Sequence, residues 1–274
     1  MLTLANVSFN KKKQKILQNI NYSFKENKIY GLLGPNGSGK TTLFKSILGV
    51  INYTGEIYKS SNKLGHLIDY PAFYANLTCL ENLKLHANYI DVHYDDLEKY
   101  LSLVNLEDAK NKKFKNLSMG MKQRLGISKT LVGNSDIVLL DEPTNGLDPM
   151  GIMDIRNIIL NEVKSKHRIT IVSSHILKEL TEFTDIYLFI KNGKIIAHLK
   201  NSDGYYGLLK IKSDDIYKDF NFSFEYSIIQ TSKENYILGS YNDLVKLDKK
   251  VKKNNLEDIY LNIMNLDIEE VFLK

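Results

Sequence analysis

The sequence predicts an α/β fold on a mostly parallel sheet that is covered on both faces. Three observations carry this reading. The runs KIYGLLG, IVLLD, ITIVSS and IYLFI are short, continuous and rich in β-branched residues, the pattern of strands buried on both sides. Helical patterns such as LENLKLHANYI and YDDLEKYLSLV stand between such runs. After a break at Asn201-Ser202-Asp203-Gly204 the composition shifts to Tyr, Lys and Asn, with strand-like LLKIK, YSIIQ and YILGS and a helical YNDLVKLDKKV. Residues 1–202 therefore read as the main domain and residues 203–274 as a small α+β appendage.

Composition narrows the function. With 274 residues and 43% apolar content the chain supports a substantial core. It has no run of about 18 apolar residues, so no membrane-spanning helix is expected. The start, MLTLANVSFNKKK, lacks the apolar stretch of a signal peptide. Cys79 stands alone, which rules out an internal disulfide and fits a reducing compartment. Sequons such as Asn116-Leu117-Ser118 then carry no meaning. The net charge of +5 is mild. Lys11, Lys12 and Lys13, and the cluster Lys249, Lys250, Lys252 and Lys253, lack interleaved aromatics and read as solvated faces. No nucleic-acid partner is expected, and attraction to an anionic membrane surface is only weakly indicated.

The first chemical element is GLLGPNGSGKTTL, which matches G-x-x-x-x-G-K-[ST] at Gly34, Gly39, Lys40 and Thr41. Glycines let the backbone fold into a nest of N–H groups aimed at phosphate oxygens. A strand precedes the string, and TTLFKSIL ahead of Gly49 reads as a helix whose positive end faces the nest. Asn36, Gly37, Ser38, Gly39, Lys40, Thr41 and Thr42 are the candidate phosphate-binding residues. Lys40 suits the β- and γ-phosphates, and the Thr41 hydroxyl suits Mg²⁺.

Further along, Ser118 is placed to cap a helix beginning near Gly120, where Met121/Leu125 and Ile127/Leu131 form i,i+4 apolar pairs. A helix start with a serine and a glycine is an anion site. In IVLLDEP, Asp141 and Glu142 fall at the carboxyl end of a buried strand, where ligands bind in such sheets. Adjacent residues on an extended chain point apart, so the two acids take separate tasks. Asp141 suits Mg²⁺ and Glu142 suits the attacking water as a general base. The strand ITIV is followed by SSH, ending at His175.

Phosphate loop, NLSMGMKQRLGIS, carboxylate strand, NGLDP with Asp148, then histidine follow one another over roughly 140 residues. This ordered set resembles the ATP-binding subunit of an ABC transporter, across the first 200 or so residues. The resemblance implies a P-loop NTPase fold: a RecA-like core, a helical signature subdomain at about 75–134 and an antiparallel β part. It implies ATP and Mg²⁺ as ligands, and two copies sandwiching two ATPs head to tail. Ser118 and Gly120 would then meet the γ-phosphate bound by the partner, Asp148 would lie at the dimer interface, and His175 would be the switch histidine. The chain itself would be cytoplasmic, peripheral on the inner face of the cell membrane, and a separate transmembrane permease would receive the motion, over the segment after Asp69 and the helix from Leu80.

The stretch LGHLIDYPAFY places Asp69 where most of the family carries glutamine. An acid ahead of a proline, the signature NLSMGMKQRLGIS and the closing LEDIYL resemble the bacitracin-resistance and lantibiotic-immunity type. That type usually carries glutamate. Because MgATP is already anionic, a further carboxylate is repulsive there unless it touches the metal or a donor. Asp69 is therefore expected in the Mg²⁺ shell, or withdrawn until the dimer closes; a plain turn residue before Tyr70-Pro71 is the competing reading. LEDIYL has an echo in IEEVFL, and either copy could hold the family position. Where the family stacks adenine on an aromatic this chain has Lys11, which leaves Phe9, otherwise a core residue, as the candidate. The implied cargo is a peptide antibiotic; a lipid or small-molecule carrier, or a soluble ABC ATPase, are the alternatives.

Overall fold

The computed structural model describes residues 1–93, 96–164, 167–201, 204–211, 222 and 225–273. The main body opens with strands β1 (Leu2–Lys11), β2 (Gln14–Phe24) and β3 (Lys28–Leu33), then helix α1 (Lys40–Leu48) and strands β4 (Thr54–Lys59) and β5 (Leu64–Leu67). A helical stretch follows: α2 (Cys79–Tyr89), α3 (Glu98–Ser102) and α4 (Met119–Leu131). Strand β6 (Ile137–Asp141), helix α5 (Pro149–Ile158), strand β7 (Ile169–Ser174), helix α6 (Leu177–Leu180) and strands β8 (Ile186–Lys191) and β9 (Lys194–Lys200) complete it. The appendage comprises β10 (Tyr206–Ile211), β11 (Ser227–Thr231), β12 (Asn235–Ser240), α7 (Tyr241–Leu247), α8 (Leu256–Asn265) and β13 (Ile268–Leu273).

The central sheet has the order β5-β6-β7-β3-β8-β9. Its first five strands are parallel and β9 closes the edge antiparallel to β8. Along β6, Ile137 and Leu139 join one apolar cluster, while Val138 and Leu140 join another. That alternation is why IVLLD reads as an unbroken apolar run: each face of the strand is buried. One face is covered by Leu43, Phe44 and Ile47 of α1 and by β1 and β2 of the antiparallel sheet β2-β1-β4. The other is covered by α4 and α5 through Leu125, Ile127, Ile155 and Ile158.

The appendage shares this second core. Its antiparallel sheet, β10-β12-β11-β13, sets Ile229 and Leu238 in the same cluster as Phe189 and Leu199, together with Ile259 and Ile263 of α8. The opposite side of the small sheet buries Ile228 and Ile237 with Leu244 of α7 and Val251. Lys191, ending β8, donates to the carbonyls of Met264 (2.7 Å) and Leu266 (3.0 Å), so a main-domain cation caps the end of α8.

Two expectations shift, and the two copies of one motif part ways. The helix expected over YNDLVKLDKKV stops at Leu247, because Asp248 is extended and its carboxylate takes the Lys250 N–H at 2.8 Å. YDDLEKYLSLV is helical only over Glu98–Ser102, with Asp96 Oδ1 accepting from the N–H of Glu98 (2.9 Å); Tyr94 and Asp95 lie outside the described residues. LEDIYL and its echo IEEVFL adopt different structures, helix α8 and strand β13. Asn255 and Asp258 give the first copy a capping box, whereas the second pairs with β11. At the expected domain break, Ser202 and Asp203 lie outside the described residues.

Candidate nucleotide site

Strands β6, β7 and β3 are neighbours, so their carboxyl ends bring three loops to one edge: residues 34–39, Asp141-Glu142 and Ser173–His175. Gly34 is packed so closely that a Cβ would sit 2.3 Å from the Ile190 carbonyl oxygen. Gly39 caps α1 from a left-handed backbone, φ +109, with no side-chain cap and no acid in the helix's first turn. The first N–H groups of α1 therefore have no side-chain acceptor, the condition for an anion cradle. Ser38 Oγ is buried in the loop without a hydrogen-bond partner. Lys40, only 5% exposed, donates to the Gly34 carbonyl at 2.8 Å and lies 3.5 Å from Glu142 Oε1.

Thr41 donates to Asp141 Oδ2 at 2.6 Å, and Ser173 donates to Asp141 Oδ1 at 2.5 Å. A hydroxyl beside a carboxylate is a hard-oxygen pair suited to Mg²⁺, which takes one or two protein carboxylates and fills the rest of its octahedron from water and phosphate. Glu142 takes a left-handed backbone, φ +47. Its N–H donates to Ser173, at 3.1 Å to the carbonyl and 3.0 Å to Oγ, and its Oε2 lies 3.1 Å from His175 Nδ1.

Asp69 stands apart from these groups. Its φ is +62, its side chain is 61% exposed, and Oδ2 accepts from Lys45 Nζ at 2.6 Å. Lys45 lies one helical turn after Thr41, on the same face of α1. Phe9 pairs with Leu17 across the β1–β2 ladder and packs, partly buried, against the first core cluster. Ser118 caps α4, its Oγ accepting from the Met121 N–H at 3.3 Å. Asp148 caps α5, with Oδ1 accepting from the Gly151 N–H at 3.0 Å. Ser118, Gly120 and Asp148 line one cleft of about 450 Å³ with Arg124 and Asp154. None of the phosphate-loop residues lines that cleft.

Sequence reasoning missed the groups that hold this sheet edge in place. Ser173 serves both Asp141 and the Glu142 backbone. Glu179 Oε2 accepts from Thr144 Oγ1 at 2.5 Å and from Ser174 Oγ at 3.3 Å, tying the loop after Glu142 to the loop that carries His175. Thr144 is two residues beyond Glu142, and Glu179 is four residues past His175; that proximity was the available signal.

An anion cradle joined to a hydroxyl–carboxylate pair at the edge of a parallel sheet defines the class of P-loop nucleotide hydrolases. Comparison with known proteins narrows it. The ABC transporter family matches residues 17–145. The lantibiotic transport ATP-binding protein SrtF of Streptococcus pyogenes is 36% identical over 225 residues, 79% of this chain and 97% of that protein. The bacitracin transport ATP-binding protein BcrA of Bacillus licheniformis is 32% identical over 286 residues, 95% of this chain and 92% of that one, so its likeness extends through the appendage. Among solved structures, the dimeric post-hydrolysis cassette MJ0796 bound to ADP and Pi aligns with a TM-score of 0.65 at 26% identity, covering 74% of this chain and 99% of that one. The chain belongs to the ABC transporter family as an ATP-binding, ATP-hydrolysing cassette. Among the described residues no helix is long and apolar enough to cross a membrane.

Proposed function

We propose that this chain drives export of, or self-immunity against, peptide antibiotics by delivering the work of ATP hydrolysis to a separate membrane permease. The names of the relatives SrtF and BcrA support the cargo class. The observation that carries the mechanism is the division of the site. Lys40, Thr41, Asp141, Glu142 and His175 gather at one sheet edge, while Ser118, Gly120 and Asp148 line a separate cleft. Each chain then holds two half-sites, and a head-to-tail partner completes both, as a dimeric relative supports.

In this reading the loop N–H groups and Lys40 bind the β- and γ-phosphates, and the partner subunit's Ser118 helix meets the γ-phosphate from the other side. Thr41 and Asp141 would hold Mg²⁺, which would supply positive charge against the phosphates. Glu142 orients the water and takes its proton as the water attacks phosphorus and the bond to ADP breaks. His175 holds Glu142 in place. Asp69 approaches this shell on closure, leaving Lys45. The chain works at the cytoplasmic face of the membrane, on the permease.

Affinity purification of the tagged chain from detergent-solubilised membranes, using Glu142→Gln to arrest hydrolysis and mass spectrometry to identify a co-purifying polytopic permease, tests the proposal. The expected product is an ATP-loaded dimer on the permease. A monomer that retains no ATP overturns the role of Glu142.

A further inference from the structure

The cleft at the starts of α4 and α5 is lined by sulfur as well as by Ser118, Gly120 and Asp148. Met119 opens α4 directly after its cap Ser118, and Met150 follows Pro149 at the start of α5, after its cap Asp148. Both line the cleft. Met119 is 38% exposed, Met150 64%, and Met153, one turn further along α5, 46%. The chain has six methionines, and Met119, Met121, Met150 and Met153 all stand in the opening turns of these two helices, so methionine use is concentrated here. Methionine ordinarily fills gaps in a core. Met121 does so, packing against the second core, whereas the other three are exposed.

A thioether needs no deprotonation to react with an oxidant, whereas a thiol reacts as its thiolate. The chain's one thiol, Cys79, is buried, and burial pushes it above the usual thiol range. Oxidants of the peroxide class therefore meet the exposed methionines first. The sulfur lone pair attacks a peroxide oxygen, and the O–O bond breaks as the S–O bond forms. The proton on the transferred oxygen passes to the departing hydroxide, which leaves as water. Sulfur gives up two electrons and the peroxide takes them, leaving a polar sulfoxide in place of an apolar thioether.

We infer that oxidation of Met119 and Met150 by a peroxide is a reversible switch that keeps the cassette from closing on ATP; this rests on the head-to-tail reading above. Two effects act. Thioethers shed water when a partner covers the cleft, which favours closure, whereas a sulfoxide resists that burial. A sulfoxide oxygen is also an acceptor, and α4 has no acid in its first turn to occupy its leading N–H groups. The sulfoxide of Met119 competes there with the γ-phosphate for donors. The sulfurs are open in the single chain and covered in the clamped dimer, so bound nucleotide sets their susceptibility.

The test uses the full chain carrying Glu142→Gln, dimerised by ATP and followed by size-exclusion chromatography with light scattering. Hydrogen peroxide given before ATP should add one oxygen each to Met119 and Met150, read by peptide mass spectrometry, and lower the dimer fraction by roughly fivefold or more. Methionine sulfoxide reductases of both epimer specificities should restore the dimer, which separates the switch from unfolding without any substitution. With ATP given first, oxidation of Met119 and Met150 should slow severalfold while that of Met1, outside the cleft lining, does not. Met119→Leu/Met150→Leu keeps the apolar volume without the sulfur, so its dimer should survive peroxide although Met1 and Met153 still oxidise. If the oxidised chain dimerises as well as the untreated one, if ATP gives no protection, or if the double Leu variant loses its dimer to peroxide as the parent does, this inference is overturned and the head-to-tail reading stands. If the untreated chain never dimerises with ATP, both fall.

Discussion

Glu142 reaches His175 across 3.1 Å from a backbone held at φ +47. The left-handed turn lets consecutive acids serve different partners: Asp141 meets Thr41 and Ser173, and Glu142 meets Lys40 and His175. General-base roles contribute about 10²- to 10⁴-fold. Glu142→Gln should lower kcat for ATP hydrolysis within that range while leaving ATP affinity near the parent's, read by steady-state rates and equilibrium binding. Equal losses in binding and rate would move Glu142 from the reaction to ground-state recognition.

Glu179 is a positioning residue. Replacing it with Ala leaves the hydroxyls of Thr144 and Ser174 without their shared acceptor. Glu179→Ala should cut kcat by roughly tenfold with KM for ATP little changed, and Glu179→Gln should restore most of the loss. A drop in melting temperature with unchanged kcat per folded molecule would assign Glu179 to stability alone.

Asp69 separates chemistry from surface charge. Its pair with Lys45 is exposed, and such pairs contribute about 0–1 kcal/mol. Stability changes in Asp69→Asn, Asp69→Gln and Asp69→Glu should be correspondingly small. Any large shift in ATPase rate or Mg²⁺ dependence then reports on the phosphate site. If all three variants match the parent in both, Asp69 is a turn residue.

His66 and His86 predict an acid weakness. Both are held down to about 4 when folded, chiefly by burial, against an ordinary value near 6.5. Between these values the unfolded chain binds more protons, so stability is full above pH 6.5 and falls as pH drops toward 4. Urea midpoints measured across that range should decline, and the decline should flatten in the His66→Gln/His86→Gln double variant.

The strands were legible because a doubly buried strand writes itself as an unbroken apolar run; Ile137 to Leu140 is such a run, and each face found its own core. The tight loop ahead of α1 was legible because its glycines stand where a side chain does not fit, at Gly34 and Gly39. What escaped was the set of supporting side chains that meet only across two segments. Ser173, Thr144 and Glu179 have ordinary local context, and only the meeting of β6 with β7 gives them tasks. LEDIYL and IEEVFL carry nearly the same pattern, yet a local cap made one a helix and a waiting strand edge made the other a strand. Asp69 could be numbered from the sequence, but its partner Lys45 could not.

Because Phe189 and Leu199 are buried together with Ile229 and Ile259, the described part of the appendage is packed onto the main body rather than hung from it. Cutting the chain near residue 200 would strip an oily flank and invite clumping. A force applied to α8 or β11 would therefore reach β8 and β9 through packed side chains.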